Sequence, residues 1–297
     1  VVSTTERIND NGPFIVVEND PNYQNPRCWY YNSYGRGHGP LNVAGAIMKS
    51  CNYFFYEVST RMGIDTLSDW ANYFGLGRKT GIELSEYNGT LATKDKLQEK
   101  EHRPWSKADT ASASIGQGLN DFTPVQMARY ITMIANGGHP INLSIVKNVI
   151  NSNGSQVSQN ELDEYVSKKL NRELVVTEDR NISGETISAI HEGMRRVAED
   201  EGGTAYSILK DFAIEIGGKT GSAEKTGNKE QNDAYAWFAG FAPYSDPEIA
   251  IVVMVEKGGH GSYTSEIVRD IMNEYFGMNM EEITEVMSVT TEMESFR

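Results

Sequence analysis

Three strand-like runs near the C-terminal end constrain the fold of this 297-residue chain more than any other feature. Residues 212–216 with the glycine-lysine stretch after them predict one strand, residues 234–241 a second, and residues 249–255 a third. The third run is β-branched and nearly continuous, which favours a strand that is buried on both faces. Turn residues at 243–247 separate the second and third runs, so we expect these two strands to pair as an antiparallel hairpin.

Helical patterns accompany these strands. Thr123 followed by Pro and a Gln three residues later predicts a capped helix start, and Ser183 opens a second amphipathic pattern. Residues 265–276 predict a last helix, and the Asn-Gly turn at Asn153 predicts a small hairpin across residues 145–157. The order of elements therefore predicts an α/β protein of the α+β type, with an antiparallel sheet flanked by helices.

The first third of the chain contains a break between two helical segments. Two helical pieces, residues 41–48 and 53–62, are interrupted by a polar segment that contains Ser50 and Asn52. Serine and asparagine favour helix caps, so an N-cap at Asn52 and a functional role for the break stand as equal alternatives. Residues 87–110 are polar and charged, which predicts an exposed loop excursion.

Charge and cysteine content exclude several classes of function. The net charge of −14 and the pI near 4.9 argue against nucleic acid as a partner, since phosphate binding needs clustered Lys and Arg. Two cysteines, Cys28 and Cys51, cannot form a tetrahedral zinc site unaided, and the five histidines lack ligand spacing. We therefore expect no metal and no cofactor, and we interpret His38 as structural. A disulfide between the two cysteines stays open.

Residues 215–224 carry the most suggestive chemistry. Glycines let another backbone approach closely, Lys219 adds a positive charge, and the hydroxyls of Thr220 and Ser222 add donors. Such a set suits a carboxylate or an oxyanion on the rim of a sheet. The tripeptide Lys-Thr-Gly alone is also typical of an exposed turn. It occurs three times, beginning at Lys79, Lys219 and Lys225.

Two motifs and several supporting stretches follow one another in an order that resembles a known family. Ser50-Cys-Asn52 is similar to a Ser-x-Asn element, and Lys219-Thr-Gly-Ser222 is similar to a Lys-Thr-Gly strand. Supporting similarity occurs at residues 74–84, 115–118, 123–126, 135–138 and 236–243. Together they resemble the transpeptidase domain of class B penicillin-binding proteins, and they imply the fold shared with serine β-lactamases. The resemblance selects Lys219, which precedes the Trp-Phe-x-Gly strand, and places Lys79 in a structural turn.

The resemblance implies an acyl-transfer reaction. In the family, a serine attacks the D-Ala-D-Ala bond of a peptidoglycan stem peptide, and β-lactams trap the acyl-enzyme. By this resemblance Ser50 would relay a proton, Asn52 would hold a substrate amide, and Lys219 would supply positive charge. The implied substrate-binding residues are Thr220, Gly221 and Ser222. The first and last of these would bind the substrate carboxylate through their hydroxyls, and the last would also offer its backbone N–H to the oxyanion.

The family's nucleophile motif, Ser-x-x-Lys, does not occur before Ser50, and three later matches come in the wrong order. We expect residues 1–277 to be the C-terminal portion of the domain, without the nucleophile and the first strands, followed by an acidic tail at 278–297. The chain alone should then resist acylation. The parent protein is expected to be anchored at the extracytoplasmic face of the bacterial cytoplasmic membrane, among other cell-wall synthesis proteins. The competing class is a non-catalytic module that binds or senses muropeptides or β-lactams.

Overall fold

A computed structural model describes residues 1–170, 177–223 and 234–278. In these ranges the strands are β1 (Ile8–Asp10), β2 (Gly39–Leu41), β3 (Gly217–Ala223), β4 (Tyr235–Ala242) and β5 (Ile249–Val255). The helices are α1 (Trp29–Tyr34), α2 (Val43–Met48), α3 (Asn52–Met62), α4 (Ile64–Tyr73), α5 (Lys94–Glu101), α6 (Lys107–Ser114), α7 (Pro124–Ala135), α8 (Gln159–Leu170), α9 (Gly184–Glu199), α10 (Tyr206–Leu209) and α11 (Thr264–Tyr275). None of these helices has the length and apolar character needed to cross a membrane. Of the predicted acidic tail only Met278 is described, and Lys225 lies outside the described residues.

β3, β4 and β5 form an antiparallel sheet in that order, and β4 is its central strand. Lys219 lies opposite Ala239, and Trp237 lies opposite Met254. Residues 238–242 of β4 are all buried, so both faces of the sheet are covered at this point. β1 and β2 pair separately as a short antiparallel ribbon. The predicted antiparallel sheet with flanking helices is confirmed.

Two details of the predicted strands are wrong. Residues 212–216 approach β3 as irregular chain, because the N–H of Phe212 bonds to the carbonyl of Leu209 and closes the end of α10. The strand therefore begins at Gly217. The third predicted strand, β5, has Ile251 as its one buried residue and is otherwise half-buried. It lies at an edge of the described sheet, where a strand has a neighbour on one side alone.

The paired glycines of β3 make room for aromatic rings of the neighbouring strand. A Cβ on Gly217 would lie 2.6 Å from the ring of Phe241, and a Cβ on Gly218 would clash with the ring of Phe238. Both rings are completely buried. The space that the sequence offered to another molecule's backbone is thus filled, at these two positions, by side chains of the same sheet.

The main hydrophobic core lies between this sheet and helices α7, α9 and α11. Phe238 and Phe241 of β4 are buried in it together with Val197 of α9 and Val268 of α11. Each large apolar side chain buried in this way contributes about 1.5–3 kcal/mol. The same packing fixes β4, and through its hydrogen-bonded register it fixes the position of β3.

Two helix caps that the sequence predicts are confirmed, and a predicted hairpin forms only in part. Thr123 caps α7 in a capping box, and Ser183 caps α9 by accepting a hydrogen bond from a backbone N–H. The hairpin predicted at residues 145–157 is reduced to its turn. A single antiparallel bridge joins Ile150 to Gln156 there, and no strand forms on either side.

Residues 87–110 contain helix in place of the predicted polar loop. Thr93 starts α5 by accepting a backbone hydrogen bond, and Leu97 of the same helix is only 1% exposed. Ser106 starts α6 through a capping box with Asp109. A segment whose composition is that of a solvated loop therefore contains a buried leucine and two capped helices.

Candidate active site

The fold brings Lys219 and Ser50 into direct contact, although 169 residues separate them in the chain. Lys219 lies on β3, at the edge of the sheet opposite to β5. Its Nζ donates a hydrogen bond of 2.8 Å to Ser50 Oγ and another of 2.7 Å to the carbonyl oxygen of Thr220. Alternate backbone N–H groups of such an edge strand have no partner in the sheet, so they can bind a ligand.

Ser50 lies in a tight turn between α2 and α3, which we call the Ser50 turn (residues 49–51). Its φ of 52° is left-handed, a conformation that costs a serine about 1–2 kcal/mol. The Ser50 N–H donates to the carbonyl of Ile47 at 3.1 Å. The indole N–H of Trp29 donates to the carbonyls of Lys49, at 3.1 Å, and Ser50, at 3.0 Å. These bonds hold the strained residue with its side chain toward Lys219.

Asn52 opens α3 and does not cap it, so the predicted N-cap at this position is wrong. The N-cap is Cys51, which makes no side-chain capping bond. The Asn52 side chain is hydrogen-bonded to Tyr56 one turn later. Burial raises the pKa of Tyr56 to about 12, and the bond with Asn52 offsets part of that effect. The amide therefore stands on the first turn of the helix that follows Ser50.

Burial changes the acid–base behaviour of Lys219. Removal from water disfavours the charged ammonium and lowers the pKa of Lys219 from 10.5 to about 8. The side chain stays mostly protonated at neutral pH, yet it releases its proton far more readily than a surface lysine. A pKa close to the working pH suits a group that transfers protons.

The other residues of the motif are less open than the sequence predicts. Thr220 is buried, and its hydroxyl lies 2.6 Å from the hydroxyl of Thr204. Ser222 is exposed, and its Oγ accepts a hydrogen bond of 2.9 Å from the N–H of Gly261. Gly261 packs so closely on β3 that a Cβ on this residue would clash with the carbonyl of Gly221. Of the two predicted carboxylate-binding hydroxyls, Ser222 is thus the one at the surface.

Comparison with known families identifies the domain that carries this pair. The family model described as the penicillin-binding protein transpeptidase domain matches residues 3–273. The chain belongs to this transpeptidase family. The class B resemblance carried by the Ser-x-Asn and Lys-Thr-Gly motifs is thereby confirmed, and Lys219 and Ser50 are where these two motifs meet in the transpeptidase domain.

Individual relatives agree with this assignment. Peptidoglycan D,D-transpeptidase MrdA of Haemophilus influenzae is 30% identical over 260 residues, which cover 83% of this chain and 38% of that protein. Pseudomonas aeruginosa PBP2 in complex with WCK 5153 has a TM-score of 0.75 and 27% identity, over 92% of this chain and 56% of that one. Helicobacter pylori PBP2 in complex with MreC has a TM-score of 0.72 and 25% identity, over 94% of this chain and 46% of that one. This transpeptidase chain therefore spans less than two thirds of each relative.

The first Lys-Thr-Gly copy of the transpeptidase domain lies in a structural turn, as the sequence predicts. The backbone N–H groups of Thr80 and Gly81 donate to the carboxylate of Glu86 at 2.7 to 3.2 Å. Thr80 is buried while Lys79 is exposed. The turn is thus occupied by a carboxylate of the chain itself, which leaves Lys79 in solvent.

A second group of reactive side chains lies next to the Ser50 turn, and no sequence motif predicts it. Asp10, Cys28, His38 and Cys51 each offer one ligand atom, and these four atoms lie within 4.8 Å of one another. We call them the four-donor cluster. The pairing of β1 with β2 places Asp10 opposite Gly39. It thereby brings Asp10 and the neighbouring His38 to the two cysteines. The sequence gives no indication that these two very short strands pair. Such donors can hold a divalent metal ion.

The two cysteines of the cluster are free and buried, so the disulfide that the sequence leaves open is not formed. A hydrogen bond from Cys51 lowers the pKa of Cys28 below its usual range, although burial acts in the opposite direction. The same bond, together with burial, raises the pKa of Cys51.

Proposed function

We propose that this chain supplies the Lys-Thr-Gly and Ser-x-Asn wall of the acyl-transfer site in a peptidoglycan D,D-transpeptidase. The observation that carries the proposal is the 2.8 Å hydrogen bond from Lys219 to Ser50, which joins the two motifs in one place. The Haemophilus influenzae relative is named for this activity. The reaction moves the acyl group of one stem peptide from its terminal D-Ala to an amine of a neighbouring stem, through an ester with a serine.

In this proposal Ser50 and Lys219 form a proton relay. The Ser50 hydroxyl gives its proton to the departing D-Ala nitrogen and takes one from the Lys219 ammonium, which is already hydrogen-bonded to it. The lowered pKa of Lys219 makes this second transfer easier. The left-handed turn keeps Ser50 Oγ against β3, and Asn52, one helical turn away from Tyr56, is assigned to the substrate amide.

The substrate carboxylate is assigned to the exposed end of the motif. Ser222 is at the surface of β3, and the Lys219 ammonium lies on the same strand three residues before it. A backbone N–H of this edge strand at Ser222 would donate to the oxyanion, where preorganised donors have their largest effect. Thr220 would have to give up its hydrogen bond with Thr204 before it could bind the carboxylate.

The wider setting of the whole protein is also a proposal. Helicobacter pylori PBP2 forms a complex with MreC, and we infer that the parent of this chain likewise works beside other cell-wall synthesis proteins. Its site would then face stem peptides at the extracytoplasmic side of the bacterial membrane. β-Lactams, which imitate the donor peptide, would be its inhibitors.

A chimera tests this function. Residues 3–273 replace the matched segment of Haemophilus influenzae MrdA, so that the relative provides the remainder of the protein. We expect one covalent adduct with a fluorescent penicillin. In the chimera, Lys219→Met should slow labelling by about 100-fold or more, since general acid–base catalysis contributes that much. Lys79→Met, in the other Lys-Thr-Gly copy, is the matched control and should label at the unchanged rate.

Equal labelling of the two lysine variants would refute the assignment of Lys219. A folded chimera that binds penicillin reversibly and forms no adduct would instead support the other class of function, a non-catalytic binding module. Thermal unfolding of each chimera separates these outcomes from misfolding.

A further inference from the structure

We propose that a cleft between α4 and residues 177–180 binds a phosphate group that carries two negative charges. The cleft, which we call the Arg78 cleft, has a volume of about 630 Å³, and Arg78, Thr177 and Arg180 contribute to its walls. It is formed by other elements than the Ser50 turn and β3. The proposal therefore does not depend on the transpeptidase function.

Two guanidinium groups share one hydroxyl at the wall of the Arg78 cleft. Nη2 of Arg78 donates to Thr177 Oγ1 at 3.1 Å, and Nη2 of Arg129 donates to the same oxygen at 3.4 Å. Nε of Arg78 and Nη1 of Arg129 are buried and have no hydrogen-bond partner among the described residues. A buried donor without a partner costs free energy, so the chain leaves strong donors unused at this place.

The positive charge of these two arginines is not balanced by a bonded carboxylate. Arg129 lies on α7 and is 0% exposed, and Arg78 is half-buried. Burial lowers the pKa of both arginines, and the charge of Arg78 lowers the pKa of Arg129 further, yet guanidinium groups keep their protons. In the part of the chain that the structure describes, no carboxylate bonds to either group. Glu86, whose charge acts on Arg129 in the opposite direction, is bonded to Thr80 and Gly81. Buried charges without a counter-ion are unfavourable, and an anion in the cleft would reduce this cost.

The chemistry of these donors favours a phosphate over a carboxylate. A phosphate monoester carries about −1.5 to −2 charge at neutral pH and offers three strong acceptor oxygens, whereas a carboxylate carries a single charge. Two guanidinium groups match the phosphate in charge, and arginine is well suited to bind its oxygens. Thr177 Oγ1 accepts hydrogen bonds from both arginines, so its own proton remains available for a phosphate oxygen.

The acidic side chains that line the Arg78 cleft have a partner elsewhere or face solvent. Asp179 Oδ2 lies 2.5 Å from His139 Nδ1, and Glu178 is exposed. Arg180, the third cation of the cleft, is paired with Asp69 at 2.8 Å. The two guanidinium groups that share a hydroxyl are therefore the charges that an anion in this cleft would compensate.

Calorimetric titration of the purified chain with sodium phosphate tests the site, with chloride at equal ionic strength as the background. We expect one phosphate per chain, because a net charge of −14 disfavours anions elsewhere on the surface. Arg78→Met should weaken binding by about tenfold or more, since it removes hydrogen bonds between charged groups. Lys79→Met removes the same charge from the next residue, which is exposed, so it is the matched control and should bind as the wild type does. Absence of binding to the wild type, or equal affinity of the two variants, would overturn the proposal.

Urea unfolding of the wild type is a second test, and it needs no variant. Phosphate should raise the unfolding midpoint, and acetate at the same ionic strength should leave it unchanged. No effect of phosphate, or an equal effect of acetate, would overturn the proposal. Glycerol phosphate and phosphatidylcholine vesicles that contain phosphatidic acid then distinguish a soluble phosphate ester from a lipid headgroup. Whichever of them binds the wild type should bind Arg78→Met about tenfold more weakly, and binding that this variant retains in full would contradict the assignment of the cleft.

Discussion

Replacement of Lys219 by methionine should change the pH dependence of stability in a defined direction. Burial lowers the pKa of Lys219 from 10.5 to about 8. The unfolded chain therefore binds this proton more tightly than the folded chain. Below about pH 8 the cost of the buried charge is fully present, and between about pH 8 and pH 10.5 the folded state has released the proton while the unfolded state has not. In that window the wild type gains stability as the pH rises.

The magnitude follows from the change in pKa. At about 1.4 kcal/mol per pH unit, the fall from 10.5 to about 8 corresponds to about 3 kcal/mol of unfolding free energy. The unfolding free energy of the wild type, relative to Lys219→Met, should thus rise by about 3 kcal/mol between pH 7 and pH 10.5. Other groups titrate in this range, but they do so in both proteins and cancel in the difference.

Urea unfolding of the wild type, Lys219→Met and Lys79→Met at several pH values measures this difference. Lys79 is exposed in the turn of the first Lys-Thr-Gly copy, so its variant should follow the wild type at every pH. A difference between wild type and Lys219→Met that stays flat from pH 7 to pH 10.5 would refute the lowered pKa of the half-buried Lys219. A difference between wild type and Lys79→Met that rises in the same way over this pH range would refute it as well.

Three further predictions concern other parts of the chain. Gly261→Ala should destabilise the fold by about 1–3 kcal/mol, because its Cβ would clash with the carbonyl of Gly221, while Gly184→Ala, which has open space, is the control in urea unfolding. Thr123→Ala should cost about 1 kcal/mol and lower the melting temperature, because it removes the capping box of α7. The chain alone should form no covalent adduct with a fluorescent penicillin, and a labelled serine found by intact mass would contradict this assignment of parts.

Local chemistry in the sequence predicts those parts of the fold that local bonds form. The cap at Thr123 and the turn at Asn153 depend on residues a few positions apart, so they can be recognised without the fold. Residues 87–110 show the converse. Their polarity predicts a loop, yet α5 and the start of α6 lie in this segment, and Leu97 of α5 is buried.

The candidate site could be predicted in part, and through a resemblance more than through local chemistry. The order of motifs, which resembles that of a family, predicts that Lys219 and Ser50 act together, and their contact depends on the packing of β3 against the Ser50 turn. The glycines of β3 predict space for a ligand, but Gly218 accommodates the ring of Phe238. The four-donor cluster escaped prediction since its ligands come together only when β1 and β2 pair.

The most direct test of the central claim is a titration of the ¹⁵N-labelled chain with an acyl-D-Ala-D-Ala peptide. If Lys219 and Ser50 form one wall of a stem-peptide site, chemical shifts should change in β3 and in the Ser50 turn, and the acyl-L-Ala-L-Ala peptide should leave them unchanged. Shifts at the Lys79 turn in place of β3, or equal responses to the two peptides, would contradict the claim.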